Sequence, residues 1–227
     1  MAHRRDVNAM TSLVKAALAL VLALASGCTL MLSGSAMDGR VVDSETGAPI
    51  PGALVIVEWK GDIGGPVQSS QVCFHLEVVR TDEEGRYHVP AWHRRPAADW
   101  EGGFYGVRNT EVTRRTYRQG YTQLRYDPRD RMTILMSPFT GSTTERLQLL
   151  SRVGTPGCGA TDGSLAKEEV LWRAVCEEAR TYPEARMPNT NFRNASLIQV
   201  VNDHISDLAR ELQSLHNTPN KPMVPCS

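Results

Sequence analysis

Gly39 to Lys60 reads GRVVDSETGAPIPGALVIVEWK. Val41 and Val42 belong to a first strand. Asp43-Ser44-Glu45-Thr46-Gly47 and Pro49-Ile50-Pro51-Gly52 interrupt it, because glycine tolerates positive φ and proline fixes φ. Ala53, Val55, Val57 and Trp59 then alternate with Leu54, Ile56 and Glu58, which is the two-residue period of a strand. The stretch predicts strand, turn, strand. The rest of the chain is expected to complete this β domain, pack on it or deliver it.

Downstream, further strands are expected over Val72–Thr81, Arg86–Pro90, Phe104–Val107, Val112–Arg118 and Met132–Met136. Within the first of these, Val72, Phe74, Leu76 and Val78 alternate with Cys73, His75 and Glu77. Asp82-Glu83-Glu84-Gly85 is expected to be a hairpin loop, with glycine in the left-handed position. Thirteen Pro and eighteen Gly supply the many turns that such a domain needs. Short strands separated by turn signals predict a β-sandwich over residues 39–138.

Residues 139–227 change character and predict about three helices. Ser142 with Glu145 three residues later forms a capping box ahead of Leu147, Leu150 and Val153, and Gly154 and Pro156 stop that helix. A second helix is expected from Ser164 to Thr181. At 100° per residue, Leu165, Leu171, Trp172, Val175, Cys176, Ala179 and Tyr182 share one of its faces, and Pro183 ends it. A third, from Asn194 to His216, carries a stripe of Leu197, Val201, Ile205, Leu208, Leu212 and Leu215. These stripes require burial, so the helices are expected to dock on the sheet. The fold class is therefore mainly β with α.

The first 27 residues have the layout of a secretory signal: basic His3-Arg4-Arg5 and Lys15, an apolar run from Ala16 to Ala25, then small residues. The apolar run is short for a membrane span, which needs roughly 20 residues. Leu24-Ala25-Ser26-Gly27-Cys28 resembles the lipobox of bacterial lipoproteins. The resemblance implies cleavage before Cys28, lipidation of its thiol and a membrane partner held through that lipid. By the same resemblance, Thr29 points to the outer membrane of a Gram-negative cell, periplasmic side, where Asp would retain the protein in the inner membrane. Residues 28–38 are expected to form a lipidated tether. Its ten residues after the cysteine reach at most about 35 Å when extended.

GRVVDSETGAPIPGALVIV, TDEEGRYHVP, YRQGY and MTILMSP resemble the carboxypeptidase regulatory-like domain. The resemblance implies a transthyretin-like, or prealbumin-like, seven-stranded sandwich. It rests on turn and core positions such as Gly47, Pro49, Gly52, Gly85, Tyr87 and Gly120, so it speaks to fold and not to activity.

Lys+Arg and Asp+Glu are equal at 25 each, so net charge gives no sign of a nucleic-acid partner. Beyond Cys28 the cysteines are Cys73, Cys158, Cys176 and Cys226, and export permits their oxidation. Cys158 closely precedes the second helix and Cys176 edges its apolar face, so Cys158–Cys176 is the expected bridge. Cys73 and Cys226 either pair or stay free. No Cys or His pair has ligand spacing, so neither a metal nor a cofactor is expected. His75 and His88 fall at strand positions where exposure is usual. Arg108, Arg114, Arg115, Arg118, Arg125, Arg129 and Arg131 crowd a short stretch. Arg114, Arg115 and Arg118 are candidates for contact with anionic headgroups or envelope glycans, or for a solvated face paired with glutamates such as Glu168 and Glu178. Trp92, Trp100, Phe104 and Tyr105 flank a polar loop and are candidates for a sugar platform. The expected function is a membrane-anchored, non-catalytic binding or scaffolding module whose partner is an envelope protein or glycan. The alternative is an envelope enzyme or carbohydrate-binding protein using the Trp92–Tyr105 loop.

Overall fold

The computed structural model describes residues 32–64, 69–94, 108–127, 130–154, 164–187 and 196–216. Its strands are β1 (Leu32–Gly34), β2 (Met37–Asp43), β3 (Leu54–Gly64), β4 (Ser69–Arg80), β5 (Arg86–Val89), β6 (Trp92–Arg94), β7 (Arg108–Tyr117), β8 (Tyr121–Tyr126) and β9 (Thr133–Pro138). Helices α1 (Thr143–Gly154), α2 (Ser164–Ala179) and α3 (Leu197–His216) follow, with a 3-10 turn at Pro183–Arg186 before α3. The described strands form a four-stranded sheet β5-β2-β9-β8, a three-stranded sheet β4-β3-β7 and a two-stranded pair β1-β6. Pairing is antiparallel except between β2 and β9.

β3 organises these layers. On one face Val55, Val57 and Trp59 share a core with Val41 of β2, Val89 of β5 and Ile134 and Met136 of β9. On its other face Leu54 and Ile56 share a second core with Leu147 and Leu150 of α1, Trp172 and Val175 of α2 and Leu197 and Val201 of α3. The three-stranded sheet is thus the middle layer, with the four-stranded sheet on one side and the helices on the other. That is why the β3 sequence is apolar on both faces over Leu54–Val57. Each such buried side chain contributes roughly 1.5–3 kcal/mol.

Local chemistry places the turns. Asp43 Oδ1 accepts the Glu45 and Thr46 amides at 3.0 and 2.9 Å, which folds the chain back after β2. α1 starts as the capping box predicts: the Ser142 amide donates to Glu145 Oε2 at 2.7 Å, and the Glu145 amide returns to Ser142 Oγ at 3.3 Å. On α2 the predicted face is the buried one, with Leu171, Trp172, Val175, Cys176 and Ala179 all nearly inaccessible.

Four expectations are corrected. Asp82–Gly85 is a tight turn, with Gly85 at φ 69°, but not a hairpin loop, because β4 and β5 lie in different sheets. The strict alternation in β4 is broken by a bulge: Lys60 pairs with Cys73 and Trp59 with His75, which leaves Phe74 without a partner in the register. Phe74 and His75 both reach Trp92 as a result, and Leu76 turns to the helix side. β8 runs through Tyr121–Tyr126, where no strand was expected. Finally, the supposed tether is largely structured. Leu32 is buried in the sheet-on-sheet core, β1 pairs with β6, and β2 already begins at Met37. The expected strand Phe104–Val107 lies outside the described residues.

A cleft between the first helix and the seventh and eighth strands

The base of the site is a buried ion pair. Arg146 sits four and seven residues before Leu150 and Val153, on the inward face of α1, and is 2% exposed. Its Nε and Nη2 donate to the two oxygens of Glu178 on α2, at 2.6 and 2.8 Å. Glu178 is 1% exposed. The Tyr117 hydroxyl lies 2.8 Å from Glu178 Oε2 and 2.9 Å from the Ala174 carbonyl. Burial pushes the Tyr117 phenol far above its usual range, and the Glu178 charge adds to that. Arg146 also donates to the carbonyls of Tyr121 and Arg118, so one guanidinium ties both helices to the β7–β8 turn. Gly120, at φ 73°, makes that turn possible.

A second cluster lies further along β7. Glu58, 1% exposed on β3, accepts Arg115 Nη2 at 2.6 Å, Thr113 Oγ1 at 3.0 Å and Lys60 Nζ at 3.0 Å. Burial raises its carboxyl pKa, but Arg115 and Lys60 outweigh burial and hold it below the usual value. Arg115 Nη1 donates to the Arg152 carbonyl at 2.7 Å, which satisfies an otherwise open acceptor in the last turn of α1.

Between these two clusters a cleft of about 200 Å³ opens. Leu149, Leu150, Val153 and Tyr117 supply its apolar surface, and Thr116, Tyr121 and Gln123 its polar wall. Arg115 and Arg152 border it with positive charge. Here β7 and β8 are joined by side chains in place of a ladder. The Thr116 amide donates to Gln123 Oε1 at 2.7 Å, and the Tyr126 hydroxyl donates to the Arg114 carbonyl at 2.6 Å. Among the described residues, Arg115 Nε and Thr116 Oγ1 are buried without a hydrogen-bond partner; the two side chains point to opposite faces of β7, with Arg115 opposite Ile56 and Thr116 opposite Val55. A shallower depression of about 310 Å³ shares Leu149 and Arg152 and reaches Phe139 and Gly141.

The arginines expected to form one surface are divided by strand alternation. Arg115 enters the cleft. Arg114 lies on the other face of β7, 3.1 Å from Met132 Sδ and 4.6 Å above the Tyr126 ring. Arg118 is half-buried at the turn, where its carbonyl accepts from Arg146 and from the Tyr121 amide. The side chains of Arg108, Arg125 and Arg129 lie outside the described residues. Glu178 meets Arg146 and not the β7 arginines.

Trp92 is buried at 8% exposure, stacked on His75 at 4.0 Å and edge-on to Trp59 at 5.4 Å. Its ring packs the interior at this position, and Trp100, Phe104 and Tyr105 lie outside the described residues. His75 is mostly buried, contrary to expectation, and contacts Glu77 at 2.9 Å; Lys167 of α2 reaches the same Glu77 oxygen at 2.6 Å. His88 stays exposed beside Asp38 at 2.7 Å. Cys176 and Cys73 are both disulfide-bonded; Cys28, Cys158 and Cys226 lie outside the described residues. Among the described residues, no group of three His, Cys, Asp or Glu is placed to hold a metal ion, and no helix is long and apolar enough to cross a membrane.

Sequence reasoning missed Arg146, Tyr117, Thr116 and Gln123. For Arg146 a signal existed: a cation at the inward spacing of an amphipathic helix needs a buried partner. Thr116 and Gln123 carried no comparable signal, because their roles depend on which strands meet. No family model, curated protein or solved structure matches this chain.

Proposed function

We propose that this chain is a lipid-anchored envelope protein whose folded body is a non-catalytic binding module. In this reading the body is a prealbumin-like sandwich of the carboxypeptidase regulatory-like type, with the helices covering one sheet. The four-stranded sheet facing β4-β3-β7 across a common core supports that arrangement. The cleft carries the binding reading. It offers hydrogen-bond donors and positive charge over an apolar floor, while the neighbouring carboxylates Glu58 and Glu178 are committed to ion pairs.

Two observations support export and anchoring. Oxidised Cys73 and Cys176 suit a compartment outside the cytoplasm. The first described strand begins at Leu32, four residues after Cys28. Four extended residues reach at most about 14 Å. Lipid on Cys28 would therefore hold the β1–β6 end of the body against the periplasmic face of an outer membrane, near envelope proteins and glycans. Labelling with radioactive palmitate tests the anchor. Cys28→Ala should abolish incorporation, and Thr29→Asp should move the labelled protein to inner-membrane fractions on a density gradient. Unchanged labelling of the Cys28→Ala protein would sink the anchor.

A further inference from the structure

We infer that Cys73 and Cys176 belong to two separate disulfides, so that bridges engage four of the five cysteines and leave a single sulfur for lipid. Which sulfur is left over rests on the anchored reading proposed above; the separation of the two bridges does not.

Both sulfurs are oxidised, and both residues belong to the core between the middle sheet and the helices. Their places in that core exclude a bond between them. Cys73 pairs with Lys60 of β3. Tyr117 pairs with Leu54, six residues back along the same strand. At about 3.3 Å per residue those two levels lie about 20 Å apart. Cys176 stands at the far level. The Tyr117 hydroxyl lies 2.9 Å from the Ala174 carbonyl and 2.8 Å from Glu178 Oε2, and Cys176 sits between those two residues on α2. The other end of α2 fixes its direction. Lys167 Nζ donates to the Leu76 carbonyl at 3.1 Å and to Glu77 Oε1 at 2.6 Å, and Leu76 pairs with Glu58. From Lys167 to Cys176 the helix rises about 13 Å, which matches the four strand residues from Glu58 to Leu54. The helix therefore runs away from Cys73, whose level lies on the other side of Leu76. Bonded cysteines hold their Cα atoms about 4.4–6.8 Å apart. A Cys73–Cys176 bond would have to span roughly three times the upper limit.

Two oxidised sulfurs that cannot meet need two partners. Cys28, Cys158 and Cys226 are the cysteines that remain, so one of these three stays outside both bridges. In the anchored reading that one is Cys28. Four bridged cysteines allow three connectivities, and the register removes the one that joins Cys73 to Cys176. Each bridge forms by exchange with a disulfide oxidant of the exporting compartment. Two cysteine thiols give up two protons and two electrons, and the oxidant leaves as a dithiol. A free fifth thiolate could attack either bridge and shuffle it. Lipid on that sulfur removes the nucleophile, so acylation of Cys28 and the two bridges protect one arrangement.

The test uses the full chain, extracted from membranes in detergent, quenched in acid, denatured and alkylated with iodoacetamide before or after reduction. Intact mass should show no alkylation of the lipidated parent before reduction and four alkyl groups after it. Non-reducing peptide mapping should place Cys73 and Cys176 in different linked pairs. Cys73→Ala should expose one new thiol while Cys176 stays linked, and Cys176→Ala should expose one while Cys73 stays linked. A linked Cys73–Cys176 peptide pair overturns the inference. So do two alkyl groups on the unreduced parent, or labelling of Cys176 in the Cys73→Ala protein. Failure of the anchor reads differently: two mapped bridges, no lipid mass and one alkyl group before reduction would keep the bridges and remove only the lipid from Cys28.

Discussion

Arg146→Met is expected to be among the most damaging conservative substitutions in this protein. Methionine keeps an unbranched apolar stem but removes the guanidinium. Glu178, 1% exposed, would lose both charge-assisted bonds, at 2.6 and 2.8 Å, and keep only neutral donors such as the Tyr117 hydroxyl. The carbonyls of Tyr121 and Arg118 would also lose a donor. Breaking a buried pair from one side costs about 3–5 kcal/mol, a large share of the roughly 5–15 kcal/mol that holds a typical domain together. Urea unfolding followed by circular dichroism should show the midpoint falling by roughly 1–3 M, and heating should show Tm falling by roughly 6–20 °C. Glu178→Met should cost a similar amount, by stranding Arg146. The double substitution should recover at least half of the loss, since an apolar pair of similar volume avoids the desolvation of both ions. Singles that cost under about 1 kcal/mol and add in the double variant would match a solvated surface pair. That result would refute the buried linkage of α1, α2 and the β7–β8 turn.

Three smaller perturbations test other parts of the fold. Ser142→Ala should remove the reciprocal cap of α1 and cost about 1 kcal/mol in urea unfolding; no measurable change would mean the cap is frayed in solution. Gly85→Ala should destabilise by more than about 1–2 kcal/mol, because φ is 69° and a Cβ would stand 2.6 Å from the Val41 carbonyl oxygen; a midpoint equal to the parent's would exclude this turn conformation. Acid should destabilise the protein through Glu58 and Glu77. For both, burial raises the carboxyl pKa, yet their cationic and hydrogen-bonding partners prevail and hold it below the usual 4.5. The unfolded chain then takes up those protons first. The stabilisation is complete above pH 4.5 and is lost as pH falls through the lowered folded values. A urea midpoint that stays flat from about pH 6 to about pH 3 would contradict this.

Elements whose signals are local were legible in the residues alone. Glycine, proline and Asp43 mark the turn between β2 and β3, and two-residue alternation marks β3. Ser142 and Glu145 lie within one helical turn, so the capping box is readable and α1 begins where it says. The 3.6-residue period identifies the buried face of α2 without any knowledge of what covers it. Which strands share a sheet is set by long-range packing. The Asp82–Gly85 turn is the same to a local reading whether β5 pairs with β4 or crosses to β2, and β5 pairs with β2. The bulge at Phe74 depends on the register against β3, and β1 is a strand because β6 stands beside it. The cleft depends most on distant partners. Arg146 meets Glu178 across 32 positions, Arg115 meets Glu58 across 57, and Tyr117 meets Glu178 across 61. A charged side chain reads alike on a surface or in a core until its neighbours are known. Burial lowers the local dielectric and makes a matched partner obligatory, and chain topology alone brings that partner within reach.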